Sequence, residues 1–309
     1  MSTAIEVIGV DVSQSAVEAA ARFGARFAEA WERSFSRFRA DSELSRLNAA
    51  QGRPLNVSVD FIAVLALAVA ASERTGGRFD PTILPALEAA GYDRDIAEVR
   101  RRAGCLTAPS FDRAGPVAPI EIDRDRQQVR LPVGLRLDLG GIAKGAFVDR
   151  LAAELADWPG GSVDAGGDLR FWGVPPSGRW WIVAIEDPAQ PDADRVVAEV
   201  RRPAGAAATS GTYRRRWQLD GAEAHHLIDP LTLRPLAGGM RAATAFSTTT
   251  VEAEAATKAL MVAASRGEPL DPFGCWVAVA IDDGDDAAFI AGYDEDACTF
   301  YSDRFPHTA

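Results

Sequence analysis

Asp138-Leu-Gly-Gly-Ile-Ala-Lys144-Gly145 joins a short apolar run to a helical pattern through Gly140 and Gly141. Paired glycines let backbone N–H groups approach an anion, a helix N-terminus adds partial positive charge, and Lys144 would add a full one. The spacing is not that of a P-loop, and the same residues also read as a glycine turn with a solvated lysine. In Ser162-Val-Asp-Ala-Gly-Gly-Asp168, Gly166 and Gly167 stand between aspartates, as a bulge, a hairpin turn or a point where backbone approaches a large ligand. Thr209-Ser210-Gly211 is followed by His225-His-Leu-Ile-Asp-Pro230, which holds two of the three histidines. His226, three before Asp229, is a candidate for proton transfer or anion contact. A Ser210–His226–Asp229 hydrolase triad lacks the G-x-S-x-G elbow, and a two-histidine zinc site lacks a third ligand at characteristic spacing. A structural histidine fits equally well. In Ala253-Glu-Ala-Ala-Thr-Lys258, Glu254 and Lys258 lie four apart on a helix in the favourable order. The plain reading is a surface pair; the surrounding alanines make a small-residue face that would hold both charges against another part of the fold.

Lysine occurs only at Lys144 and Lys258, every other basic residue being arginine. A chain that uses arginine for routine charge keeps lysine where a compact ammonium, not a planar fork, is required, or else by chance. The net charge of −11 argues against broad binding to nucleic acid or anionic membranes. The 47% hydrophobic and 25% charged fractions exclude wholesale disorder. Cys105, Cys275 and Cys298 show no C-x-x-C spacing, so neither a disulfide framework nor a thiolate zinc site is expected. Residues 61–71 are too short an apolar run to span a bilayer, and the start carries no readable secretion signal or lipidation motif. A cytoplasmic protein with no membrane insertion is expected.

Several elements would position these groups. Residues 4–12 read as a strand, and residues 16–35 as an amphipathic helix, with Val17, Ala20, Phe23, Phe27, Ala30 and Trp31 at helical steps. Asp60 reads as the N-cap of a buried helix through Arg74, stopped by Gly76 and Gly77. A short strand over 136–139, a helix over 143–156, and a strand–glycine turn–strand over 162–172 follow. Strands are also expected over 179–186, 196–202 and 242–246, then a capping box at Thr249 and Glu252 opening a helix to about Ser265. A hairpin over 276–291 closes the pattern, and residues 104–119 read as a surface connection. No regular βαβ period appears, so the fold class is α+β with largely antiparallel sheet and packed helices, as a single domain over 1–309.

These segments occur together and in order in one family. The sequence resembles the ApbE family of FAD:protein FMN transferases from its Met1-Ser-Thr3 start, through Phe35-Ser-Arg-Phe38, Ser42-Glu-Leu-Ser-Arg-Leu-Asn48 and Thr75-Gly-Gly-Arg-Phe-Asp80-Pro-Thr82, to the glycine loops and the alanine-rich helix. The resemblance implies one α+β unit that binds FAD in a cleft and cuts its pyrophosphate. The FMN half is attached as a phosphoester to a Thr or Ser of a target flavoprotein, a flavinylation that releases AMP. Two alternatives are an FAD-binding protein without transferase activity and an FAD pyrophosphatase. The resemblance also implies Mg2+ at the pyrophosphate. It places Phe79, Asp80, Pro81 and Thr82 beside the flavin or nucleotide, Asp138, Gly140 and Gly141 at the phosphates, where Lys144 of the same glycine loop would add its charge, and Gly166, Gly167, Ser210 and Gly211 along the cleft. His226 and Asp229 would stand near the reacting phosphate, and the Ala143 carbonyl would be a metal ligand.

One departure bears on the chemistry. In the family the alanine-rich helix usually reads Asp-x-x-x-Thr, and both side chains ligate magnesium. Here Glu254 stands at the aspartate position and Lys258 at the threonine position. A protonated lysine has no lone pair for a metal, but its ammonium could take the cation's place against the pyrophosphate, with Lys144 as its companion. FAD is then expected to bind with the metal site weakened or lost.

Overall fold

Apolar residues recurring at three- and four-residue steps make α1 (Gln14–Phe35) an amphipathic helix, as its periodicity predicts. The computed structural model describes residues 3–102, 119–175, 178–191, 193, 195–219, 221–238, 240–281, 287–291 and 298–300. Packing gathers the chain into two compact units, one of Ala28–Ala143 with Arg214–Leu236, the other of Ser2–Phe27, Lys144–Tyr213 and Ala237–Ala309.

In the first unit the end of α1 brings Trp31 and Phe35 to the interior, where Phe35 stacks on Phe61 with ring centroids 5.5 Å apart. After α2 (Glu43–Asn48), Phe61 belongs to α3 (Val59–Arg74). The N-cap of α3 is Ser58, whose hydroxyl accepts the Phe61 N–H at 3.2 Å; Asp60, expected there, lies inside the first turn. A serine two residues earlier reaches the N3 amide that an Asp60 cap would have left unpaired. Gly76 and Gly77 end the helix at φ +58° and +76°, a left-handed exit that glycine adopts without strain. Two short helices, α4 (Leu84–Ala89) and α5 (Ile96–Arg101), pack Ala86, Leu87 and Val99 against Trp217 and Ile228. Trp217 lies on a hairpin of Arg216–Leu219 and Ala222–His225. The strand expected over 136–139 does not form: those residues run as irregular backbone, tied by side-chain and main-chain hydrogen bonds to Asn48 and Pro81 in place of a sheet partner.

The second unit is built on a seven-stranded sheet. Its order is Ile5–Val10, Gly160–Ala165, Leu169–Gly173, Gly205–Gly211, Ala242–Ser247, Val277–Ile281, Ala287–Ala291, with every neighbouring pair antiparallel. A second sheet joins Trp181–Glu186, Val196–Arg202 and Cys298–Phe300. The expected closing hairpin is present as its two paired strands, and residues 282–286 between them lie outside the described residues, as does most of the connection expected over 104–119. The helices are α6 (Ala143–Glu154) and α7 (Thr250–Ser265). Small residues let α7 lie close on the sheet: Ala253 and Ala256 meet Ala208 and Ala245. The fold class is α+β with antiparallel sheet, as expected. Among the described residues no helix is long and apolar enough to cross a membrane.

Candidate active site

Both lysines of the chain end on buried carboxylates. Asp168 reaches its place because Gly166 and Gly167, at φ +65° and +90°, turn the chain between two sheet strands. The Asp164 carboxylate accepts the Gly167 N–H at 2.9 Å and holds the turn. A side chain at Gly166 would overlap the Thr3 hydroxyl, so the chain's start packs on the bare glycine. Lys144 Nζ lies 2.9 Å from Asp168 Oδ2 and forms an ion pair with it.

The second pair lies one turn apart on α7. Lys258 Nζ donates to Glu254 Oε1 and to the Glu254 carbonyl, each at 3.2 Å. Glu254 Oε2 accepts the Gly145 N–H of α6 at 2.9 Å. The two pairs are electrostatically one group. Burial first, and the Glu254 charge second, push the Asp168 carboxyl up to about 7 against the opposing pull of Lys144 and Lys258. Thr257, one turn from Glu254 on the same side of α7, donates its hydroxyl proton to the Glu254 carbonyl at 2.9 Å and accepts from the Ser210 hydroxyl at 2.8 Å, so Ser210 faces the interior. The N-terminus of α7 is saturated. Asp149 accepts the Thr250 and Val251 amides at 2.9 and 3.0 Å, and Thr249 accepts that of Glu252.

In the first unit Asp138 is the meeting point. Its Oδ2 pairs with Arg37 Nε at 2.7 Å, its Oδ1 accepts the Gly140 N–H at 2.6 Å, and its own N–H donates to the Pro81 carbonyl at 2.8 Å. Pro81 sits in a turn closed by Asp80, whose Oδ1 accepts both the N–H and the hydroxyl of Thr82 at 2.7 Å. Phe79 is buried, its N–H bound to the Thr75 hydroxyl at the end of α3. The Arg37 guanidinium lies 4.6 Å from the Tyr92 ring, which stacks on Trp217 and meets the His226 ring edge-on at 6.5 Å. Arg37 thereby links the Phe79–Thr82 turn and the Asp138 loop to the aromatic wall beside His226. Asp229 serves its own turn, where its Oδ1 accepts the Leu231 N–H at 2.7 Å ahead of Leu233.

A family model described as the ApbE family matches residues 1–269. The chain belongs to the ApbE family. It is 30% identical over 273 residues to the FAD:protein FMN transferase of Klebsiella pneumoniae, covering 84% of this chain and 74% of that protein. The FAD:protein FMN transferase of Haemophilus influenzae is 29% identical over 234 residues, covering 74% of this chain and 67% of that protein. The crystal structure of the ApbE protein from Thermotoga maritima matches with a TM-score of 0.76 and 26% identity over 93% of each chain. The flavin transferase ApbE from Vibrio cholerae, 24% identical, shares the fold at a TM-score of 0.68 over 94% of this chain and 95% of that one.

Membership makes the donor set at the expected magnesium positions a question of chemistry. Magnesium takes hard oxygen ligands in near-octahedral geometry. Glu254 offers it a carboxylate already bridged between an ammonium and a main-chain N–H, and Lys258 offers no lone pair. The Ala143 carbonyl accepts the Trp31 indole N–H at 2.8 Å. No group of three His, Cys, Asp or Glu able to hold a metal occurs among the described residues. The residues present do not fit the ion.

Arg37, Tyr92 and Trp217, which pack beside His226, were not among the residues expected from the sequence. Arg37 was readable within Phe35-Ser-Arg-Phe38, an arginine between aromatics; Tyr92 and Trp217 are far apart in the chain and carry no local signal. Asp168 was visible only as the residue after a glycine turn.

Proposed function

We propose that the chain is an FAD:protein FMN transferase acting as one functional domain, which joins FMN through a phosphoester to a Thr or Ser of a target flavoprotein. The observation that carries this reading is the family match over 1–269, with about 30% identity to curated transferases over most of the chain. In the reaction an acceptor hydroxyl attacks the flavin-side phosphorus of FAD. The new P–O bond forms as the bond to the AMP half breaks, AMP leaves with that electron pair, and the hydroxyl proton passes to a base. His226 is suited to hold that proton near neutral pH. Its ring lies edge-on to Tyr92, which itself packs between Arg37 and Trp217. The ammoniums of Lys144 and Lys258 would meet the phosphates.

A second reading, an FAD-binding protein without transfer, is favoured by one observation: Lys258 fills the Glu254 carboxylate. A single ammonium supplies charge but does not gather several phosphate oxygens as a divalent ion does. One assay separates the readings. The chain is incubated with FAD and a candidate acceptor flavoprotein, AMP is measured, and a denaturing gel is scanned for flavin fluorescence. AMP with a fluorescent acceptor band is the expected result; AMP alone indicates a pyrophosphatase, and neither product indicates a binder.

A further inference from the structure

We infer that the Lys258 ammonium, with Lys144 beside it, is a built-in replacement for a divalent cation, and that this chain takes up the FAD pyrophosphate without metal. The inference rests on the reading above that the chain binds FAD. Its first support is occupancy. Glu254 is buried, and its two oxygens are engaged by Lys258 Nζ and the Gly145 N–H. A divalent ion would have to displace a covalently tethered ammonium or sit beside it in a poorly solvated site, where like charges repel strongly. The second support is charge balance. Two ammoniums face two buried carboxylates, one of which, Asp168, keeps part of its proton near pH 7, so the cluster carries no spare negative charge and an added divalent ion would leave its charge uncompensated.

The third support is unused donor capacity. An ammonium has three N–H donors. Lys258 directs two at Glu254, and Lys144 directs one at Asp168. Both side chains are partly open, at 19% and 22% exposure, while their carboxylate partners are 5% and 2% exposed. The buried face of each pair is acidic and the accessible face is cationic, an arrangement suited to an anion such as a pyrophosphate diester. The chain's exclusive use of lysine at these two positions agrees with it. An arginine fork demands a planar bidentate partner, whereas the ammonium is compact and donates in three directions.

The test is FAD titration of the full chain, followed by flavin fluorescence, in excess EDTA and in excess magnesium. The expected result is the same dissociation constant in both buffers, within about two-fold. Lys258→Met should weaken FAD binding about ten-fold or more in both buffers, the effect of losing a charge-assisted contact to phosphate. Because that variant leaves Glu254 buried without its partner, the neutral pair Glu254→Gln with Lys258→Met is measured alongside and should show the same loss. An affinity that rises about ten-fold or more with magnesium, or one that the neutral pair leaves unchanged, overturns the inference while the FAD-binding reading stands. Absence of FAD binding in either buffer overturns both.

Discussion

Lys144 Nζ stands 2.9 Å from Asp168 Oδ2, yet the Asp168 carboxyl is pushed up to about 7 from its ordinary 3.8, first by burial and second by the nearby Glu254 charge. Over the interval between those values the folded chain holds a proton that the unfolded chain has released. The associated stability is complete below the unfolded value and is lost as pH rises through the folded one. Thermal melts should therefore show stability declining between about pH 4 and about pH 7, and Asp168→Asn, neutral throughout, should flatten the decline. Equal slopes for the two proteins would exclude Asp168 as the responsible group.

Asp149 holds the N-terminus of α7 by accepting two of its first amides, and burial raises its carboxyl above the usual range although those amides favour the charged form. Asp149→Ala leaves two buried donors unpaired and should cost about 2–3 kcal/mol in urea unfolding. Asp149→Asn keeps one acceptor and should cost about half of that. A loss below about 0.5 kcal/mol for the alanine variant would mean that other acceptors replace the carboxylate.

The helix that carries Glu254 and Lys258 was legible in detail. Thr249 caps the Glu252 amide as the spacing predicts, although the Glu252 carboxylate accepts from the Ser247 hydroxyl instead of closing the reciprocal half of a capping box. The alanine face was legible too, because only small residues permit α7 to approach a sheet this closely. The strand beneath it, Gly205–Gly211, was not: Gly-Ala-Ala-Ala-Thr-Ser-Gly has neither β-branched enrichment nor alternation, and its sheet position comes from its neighbours on both sides. Glycine pairs and lysine rarity pointed to the charged cluster, but which carboxylate each lysine meets is a product of tertiary packing. Lys144 pairs with a residue on a sheet turn and Arg37 with one in an irregular loop, and no local periodicity records either contact.

Gly145 tests the close approach of α6 and α7. In an open helix interior, alanine is preferred to glycine by about 1 kcal/mol. Here a Cβ at residue 145 would lie 2.9 Å from Glu254 Oε2 and 3.0 Å from the Thr250 carbonyl oxygen. Overpacking of this kind typically costs about 1–3 kcal/mol, enough to reverse the propensity gain. Gly145→Ala should thus lower the melting temperature; a rise would show that the two helices separate without penalty.

Arg37 is the link most exposed to a conservative change. Its pairing with Asp138 is largely shielded from solvent, and its guanidinium also lies over the rings of Phe38 and Tyr92. Arg37→Met strands a buried carboxylate and should destabilise by about 3–5 kcal/mol. Arg37→Lys keeps the charge but loses the planar stack and should cost about 1–2 kcal/mol. Equal losses for the two variants, read from denaturant midpoints at constant slope, would place the whole effect in shape and none in charge.

His226 and Asp229 are three residues apart but differ in burial and surroundings, and kinetics can separate the roles proposed for them. Asp229 is buried, with Oδ1 on the Leu231 amide of a tight turn in which Leu233 takes φ +58°. His226 is partly exposed and stands against Tyr92. If His226 receives the acceptor's proton, His226→Ala should lower the rate of flavin transfer about 10²–10⁴-fold with FAD affinity nearly unchanged. The acidic limb of the rate–pH profile, set by protonation of the histidine, should also disappear. Asp229→Ala should act the other way, lowering thermal stability by about 1–2 kcal/mol through the lost turn contact while the protein still folded retains most of its turnover. A large turnover loss for Asp229→Ala at full stability would transfer the proton-handling role from His226 to the pair.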